Sequence, residues 1–296
     1  MQQSYVKSPL NYIGNKYRII DQIHQYFPKD INTMVDLFCG GCDVTINTVA
    51  AKRYANDINY LVIDIFREFQ KYSTDELLSY IDSTIKEWGL TDSNADAYRK
   101  FRDYYNKTKQ PLDLFILICF SFNNQIRFNS KHEFNMTFGL GRSYFTDDMR
   151  INLVKFLGRI KDVEFSTKPF QDFDFSILHA NDFLYADPPY LISCATYNDG
   201  KRGFTGWGEH EERALYEILS DLDKRGVKFA LSNVSEHKGQ KNNILLDWVS
   251  DKRYFSHSIN FDYDNCNYHS LNTDKHTQEV LITNYSVDTI KPISLW

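Results

Sequence analysis

Long apolar runs are missing from this 296-residue chain. No segment supplies the roughly 18 consecutive apolar residues of a membrane-spanning helix. The longest candidate, Leu112 to Phe122, is broken by Asp113 and Ser121. The opening residues, Met-Gln-Gln-Ser-Tyr-Val-Lys, carry no apolar stretch of signal-peptide length, so the expectation is a cytosolic protein. Cysteine is scarce: Cys39, Cys42, Cys119, Cys194 and Cys266 are odd in number and scattered, which fits a reduced compartment rather than a disulfide framework. Cys39 and Cys42 form a C-x-x-C, but a zinc site needs a second ligand pair at matching spacing and none exists. No His-Glu-x-x-His is present either, so no metal is expected. The G-x-G-x-x-G and Walker spacings of dinucleotide and phosphate sites are absent, as are internal repeats. Apolar residues at 42% and charged residues at 25% exclude disordered and collagen-like classes.

Charge is present but unevenly spread. From Arg99 to Lys168 there are thirteen Lys/Arg against seven Asp/Glu, a net +6 that leaves −11 for the rest of a chain whose total is −5. A basic middle on an acidic remainder suits a polyanion site, and equally a solvated face.

The hydrophobic rhythm divides the chain. In residues 1–60, a helix around Ile19, Ile20, Ile23 and Phe27 ends at Pro28. The strand Thr33-Met-Val-Asp-Leu-Phe38 runs into Cys-Gly-Gly, and a helix starts at Asp43 as a candidate N-cap. Ala50 to Asp57 then leads through a second strand to an acid. Strand, glycine turn, helix, strand and acid make a βαβ nucleotide unit. Helical patterns then dominate (Tyr60–Gln70, Thr74–Trp88, Ala95–Tyr105, Leu112–Phe122), followed by an Asn-rich aromatic loop, Ser121–Thr146, and a helix over Asp147–Ile160. The α/β rhythm returns from Phe175, with a strand over Asp182–Ala186, a helix over Glu209–Arg225 stopped by Gly226, and a strand over Val227–Leu231. A short helix over Ile244–Val249 precedes a terminal strand pair, Phe255–Phe261 and Glu279–Tyr285. Residues 1–60 plus 175–296 therefore read as one α/β domain and 61–174 as a second, mostly helical one.

Two motifs carry chemistry. Asp36-Leu-Phe-Cys-Gly-Gly-Cys-Asp43 lets the chain turn sharply with a ligand near its backbone. With Asp57 at the next strand end it suits a nucleoside, whose ribose hydroxyls an acid can hold; a purely structural turn is the alternative. Asp187-Pro188-Pro189-Tyr190 is sharper. Two prolines fix φ and hold Asp187 extended at a strand's C-terminal end, where ligands of open α/β sheets bind. A carboxylate, a rigid Pro188 carbonyl and an aromatic face together suit an amino group on a flat ring: two acceptors for its N–H groups and a surface for stacking. A strand-ending Asp with a Pro-Pro turn is the plain alternative. His210 reads as a cap or surface group and Cys194 as a loop residue.

Pro9 to Lys16 (Pro-Leu-Asn-Tyr-Ile-Gly-Asn-Lys), residues 36–43, 121–139 and 187–190, in that order, resemble the Dam-type, alpha-order (D12 class) adenine-N6 DNA methyltransferases over nearly the full chain. The resemblance implies a Rossmann-like S-adenosylmethionine-dependent catalytic domain from both chain ends, with an inserted helical target-recognition domain. It implies cofactor-binding roles for Tyr12, Lys16, Asp36, Phe38, Gly40, Asp57 and Asp187, with Lys16 facing the methionine carboxylate. This chain has Tyr12 where Trp is common and Asn15 for a second Gly. Asp187, Pro188, Pro189 and Tyr190 become the catalytic set, acting on an adenine flipped out of duplex DNA without a covalent enzyme intermediate. Asn123, Asn124, Gln125, Arg127, Asn129 and Asn135 fall on the family's DNA-reading hairpin, with Arg127 suited to guanine. Members that methylate GATC tend to have Gly-Leu where this chain has Asn124-Gln125, which points to another target sequence. The glycine-rich stretch Tyr197–Gly208, with Trp207, is the candidate lid. The implied setting is the cytoplasm of a prokaryote or phage, near the nucleoid, with a restriction endonuclease as functional counterpart. Cytosine N4, RNA adenine and glutamine amide stay open as substrates of the same chemistry, as does a DNA-binding protein without catalysis.

Overall fold

A computed structural model of the chain describes residues 5–192, 206–259 and 277–287. Its strands are β1 (Thr33–Asp36), β2 (Lys52–Asn56), β3 (Val163–Ser166), β4 (Phe183–Ala186), β5 (Lys228–His237), β6 (Gln240–Lys241), β7 (Phe255–Ile259) and β8 (Thr277–Thr283). Its helices are α1 (Ile20–His24), α2 (Asp43–Asn47), α3 (Tyr60–Lys71), α4 (Thr74–Trp88), α5 (Ala95–Thr108), α6 (Pro111–Phe120), α7 (Asp147–Ile160), α8 (Glu209–Lys224) and α9 (Asn243–Lys252). Residues 197–205 of the candidate lid Tyr197–Gly208, and both Cys194 and Cys266, lie outside the described residues.

One mixed sheet runs β3-β2-β1-β4-β5-β8-β7, with β6 folded back on β5. The first five strands are parallel and follow the 3-2-1-4-5 order of doubly wound folds. β8 then enters antiparallel between β5 and β7. The strand order reverses between β1 and β4, and the C-terminal ends on either side of such a switch point leave a crevice.

Side-chain alternation explains the two covered faces. Met34, Phe183, Tyr185, Ala230 and Leu281 pack with Ile19 and Ile23 on one face. Their neighbours Val35, Leu184, Phe229, Val280 and Ile282 pack under α8 and α9 on the other. The third cluster joins the helical stretch to the sheet. Helix α6 is apolar all round, and Leu112 to Phe120 are buried without exception. Asp113 inside it accepts a hydrogen bond from the Tyr80 hydroxyl at 2.8 Å. This cluster continues without a break into Val6, Leu10, Ile46, Ala55 and Val163.

Three expectations change. Residues 163–166 form β3, which pairs with the sheet-edge strand β2, so the sheet takes back part of the stretch read as 61–174. Asp43 is the first residue of α2, not its cap. Cys42 takes the cap position in the left-handed conformation, and the Asp43 carboxylate accepts the Ser8 N–H at 2.7 Å instead. β5 runs on to His237 through an irregularity between Val234 and Glu236.

Phe66 on α3 packs against Phe156 of α7 and Phe165 of β3, at ring-centroid distances of 5.4 and 5.6 Å. Phe66→Ala is expected to cost about 3–5 kcal/mol in urea denaturation. Far-UV dichroism and tryptophan fluorescence should still report one coincident transition, because helices and sheet share this core.

Candidate functional site

The strand register brings the acids together. Asp36 pairs with Ala55 of β2 and Tyr185 of β4, so Asp57 and Asp187 lie two residues further toward the same C-terminal edge. A cavity of about 300 Å3 opens there. Its lining includes Tyr12, Lys16, Asp36, Phe38, Gly40, Asp57 and Asp187, which come from four separate segments of the chain.

The glycine turn is built by close approach. Gly40 has φ +46°, and a Cβ at that position would sit 2.9 Å from two Tyr12 ring carbons. Only glycine therefore lets the N-terminal segment lie on the turn. The Gly40 N–H donates to Asp57 Oδ2 at 2.9 Å, and the Asn59 N–H donates to Oδ1 at 2.8 Å. Asp57 thus fastens the turn to the end of β2 while facing the cavity.

Asp36 is 1% exposed, and burial pushes its carboxyl up to about 7, reinforced by the neighbouring Asp187 and Asp57 charges and moderated by the Thr45 hydroxyl. Its Oδ2 accepts from Thr45 Oγ1 at 2.6 Å, whereas the buried Oδ1 has no hydrogen-bond partner among the described residues. Such an oxygen on a cavity wall is a place for a donor from a ligand.

Lys16 reaches the same edge. Its Nζ lies 2.8 Å from Asp187 Oδ2 and 3.6 Å from Glu279 Oε1, and donates to the Gly14 carbonyl at 3.2 Å. The ammonium also sits 5.1 Å from the Tyr190 ring centroid. The Tyr190 hydroxyl lies 3.0 Å from Asp187 Oδ1 and 2.8 Å from Glu279 Oε1. Burial raises the Asp187 carboxyl, and the Lys16 charge works against that rise. Asp187 is thus ion-paired, yet it faces the cavity together with Pro189.

An aromatic wall closes the other side. Phe38, Phe170 and Trp207 pack with centroids 5.5 to 5.7 Å apart. Glu212 of α8, 0% exposed, holds Trp207 through its indole N–H at 2.6 Å. The other Glu212 oxygen accepts from the amides of Asn233 and Asn242 and from the Tyr216 hydroxyl. Only an acceptor-only group satisfies four donors.

The hairpin spans 121–139, with bridges Ser121–Phe138 and Phe128–Phe134. Arg127 donates through Nε to Asn135 Oδ1 at 3.0 Å and through Nη2 to the Asn135 carbonyl at 2.8 Å. The Asn124 amide caps the end of α6 at the Cys119 carbonyl, 2.8 Å away. The Asn129 side chain closes its own turn with Lys131 and Glu133. Among the described residues nothing holds the side-chain amides of Asn123 and Gln125.

Sequence reasoning missed Glu279 and Glu212. Each had a signal: Glu279 is the charge that opens the strand run Glu279–Tyr285, directly before Val280, Leu281 and Ile282, and Glu212 lies on the apolar stripe of Leu215, Tyr216, Leu219 and Leu222.

Two outcomes test this geometry. The Asp36 carboxyl keeps a proton in the folded state up to about pH 7, while an unfolded carboxyl loses it near pH 4. Its stabilising contribution is therefore full at low pH and is lost as pH rises through about 7. Asp36→Asn should flatten the decline in melting temperature between pH 5 and 8 and raise it at pH 8, as followed by thermal denaturation; an unaltered slope would contradict the assignment. Glu212→Gln sets an amide donor against donors and should cost about 1–3 kcal/mol in urea denaturation.

A family model described as D12 class N6 adenine-specific DNA methyltransferase matches residues 12–262. The chain is 46% identical over 289 residues to Modification methylase StsI of Streptococcus sanguinis, covering 97% of this chain and 44% of that protein. It is 47% identical over 285 residues to Type II methyltransferase M.FokI of Planomicrobium okeanokoites, covering 96% and 43%. DNA adenine methylase of Escherichia coli (strain K12) is 28% identical over 232 residues, covering 76% and 79%. The chain thus spans less than half the length of the two modification methylases. Among the described residues no helix is long and apolar enough to cross a membrane, and no group of three or more His, Cys, Asp and Glu is arranged to hold a metal ion.

Proposed function

The chain belongs to the D12 class of N6 adenine-specific DNA methyltransferases, and from that premise we propose that it transfers a methyl group from S-adenosylmethionine to N6 of an adenine extruded from duplex DNA. The observation that carries the reading is the convergence of Lys16, Asp36, Asp57 and Asp187 on one cavity, with Asp187 held by two prolines at its edge.

The cavity's donors and acceptors fit the cofactor. The unpartnered Asp36 Oδ1 can accept from its ammonium, and Lys16 can face its carboxylate. Asp57 can accept from ribose hydroxyls, and the wall of Phe38, Phe170 and Trp207 suits a flat purine. When bound, the cofactor supplies an electrophilic methyl group on a positively charged sulfur. The Asp57 and Asp187 carboxylates make that corner favourable for positive charge.

The protein's part is positioning and electrostatics. Asp187 and the Pro188 carbonyl accept the two N–H bonds of the adenine amino group. That pulls the nitrogen's lone pair out of conjugation with the ring and toward the methyl carbon. Tyr190, its hydroxyl anchored on Asp187 and Glu279, supplies the aromatic face beside the base. Extrusion of the base carries an unstacking cost of a few kcal/mol, which DNA contacts offset.

Helices α3 to α7 and the 121–146 loop serve as the target-recognition part, consistent with the +6 charge between Arg99 and Lys168. Asn135 engages the Nε edge of Arg127, so the outer Nη edge is the one presented to guanine. Gln125 joins it as a reader of base edges, while Asn124 and Asn129 shape the loop. The names of the two modification methylases support a role as the modification half of a type II restriction system, paired in function with an endonuclease.

The test incubates this chain with methyl-labelled cofactor and, in parallel, duplex DNA or RNA, and identifies the labelled nucleoside by mass spectrometry. N6-methyldeoxyadenosine is expected; label on cytosine N4, on RNA alone or nowhere contradicts the reading. Asp187→Ala should drop transfer to background and weaken cofactor binding less than Lys16→Ala does. Arg127→Ala should relax sequence choice, read by methylation-sensitive sequencing, with cofactor affinity intact.

A further inference from the structure

We propose that Glu279 is a positioning residue for the methyl transfer: it receives Lys16 and keeps the Tyr190 hydroxyl in place while Asp187 turns to the amino group of the base. The inference rests on the preceding reading of Asp187 and deepens it.

Glu279 stands on β8, the strand inserted antiparallel in the sheet, at the level where β5 shifts register between Val234 and Glu236. Its side chain is 7% exposed. A carboxylate so far from water needs compensating donors. Among the described residues it has two, the Tyr190 hydroxyl at 2.8 Å and the Lys16 ammonium at 3.6 Å. Asp187 draws on the same two, at 3.0 and 2.8 Å. One ammonium and one hydroxyl hydrogen are therefore divided between two buried carboxylates. The hydroxyl has a single hydrogen and serves one acceptor at a time.

This sharing matters for the reaction. While Lys16 is seated on Asp187, its positive charge weakens the pull of that carboxylate on a neutral amino group. Moving Lys16 toward Glu279 restores the negative charge of Asp187 without leaving an ammonium unpaired in a buried site. Glu279 thus provides the second seat that lets the first one open. Glu279 meets Tyr190 and Lys16, and both of these meet Asp187, so its action on the base runs through those groups.

The test compares E279Q and E279D in the full chain by steady-state methyl transfer. Gln keeps an oxygen for the Tyr190 hydroxyl but offers Lys16 no charge. E279Q should lower kcat about tenfold or more, with KM for cofactor and for DNA within about twofold and the melting temperature retained. E279D keeps the charge and should recover most of kcat. Tyr190→Phe combined with E279Q should cost less than the product of the two single effects. Wild-type kcat in E279Q, equal losses in E279Q and E279D, or a loss carried by KM and melting temperature together would each overturn the proposal. Asp187→Ala run alongside separates the layers: near-wild-type transfer in that variant means that the reading of Asp187 itself has failed. Inactive Asp187→Ala beside fully active E279Q removes Glu279 alone.

Discussion

The ion pair between Lys16 and Asp187 governs the arrangement of this molecule. It joins the N-terminal segment to the end of the central strand β4, across 171 residues of chain. Both side chains are largely buried, and burying two charges carries a desolvation penalty that their attraction does not reliably exceed. Stability alone is therefore a weak reason for the pair. Its surroundings point to chemistry. Pro188 and Pro189 leave the backbone beyond Asp187 little freedom, and the left-handed Gly40 lets Tyr12 bring Lys16 onto the crevice.

The rest of the site follows from placing charge where strands end. Asp36, Asp57 and Asp187 sit beside one another because β1, β2 and β4 are adjacent and parallel, with their C-terminal ends aligned. Burial, reinforced by the neighbouring acids, raises Asp36 toward neutrality, and among the described residues one of its oxygens has no hydrogen-bond partner. Folding alone gains nothing from that oxygen. A cationic ligand does, because it finds acceptors already aimed at it. The helical stretch completes the body rather than standing apart from it. Its core runs on into Ala55 and Val163 and takes in Phe128, Phe134 and Met136, so the 121–139 hairpin shares one packed core with the sheet.

Much of this was legible in the residues. The strongly periodic helices α4 and α7 have the ends that their sequence assigns, Thr74–Trp88 and Asp147–Ile160. The strand ends at Asp36, Asp57 and Asp187 were marked by glycines, by an acid and by prolines. β3 escaped because Val-Glu-Phe-Ser is only four residues long, two of them polar, and sits on a sheet edge, too short for its alternation to stand out. Glu279 and Glu212 escaped because a carboxylate amid apolar residues reads as a surface charge until its donors are seen. Most of them arrive from far along the chain, from Tyr190, Lys16, Asn233 and Asn242; only Tyr216 and Trp207, both bonded to Glu212, are near in sequence. The hairpin asparagines show the same limit. Composition marks an amide-rich loop, but only the fold separates Asn124 and Asn129, which hold backbone, from Asn123 and Gln125, whose side-chain amides have no hydrogen bond among the described residues.

The most direct test of the account is a crystal structure of this chain with the demethylated cofactor and a duplex containing its target adenine. The account predicts an extruded adenine whose amino nitrogen lies within hydrogen-bond distance of Asp187 and of the Pro188 carbonyl, with Lys16 drawn off Asp187. An adenine still stacked in the duplex, or one lodged elsewhere while Lys16 and Asp187 stay paired, would contradict it.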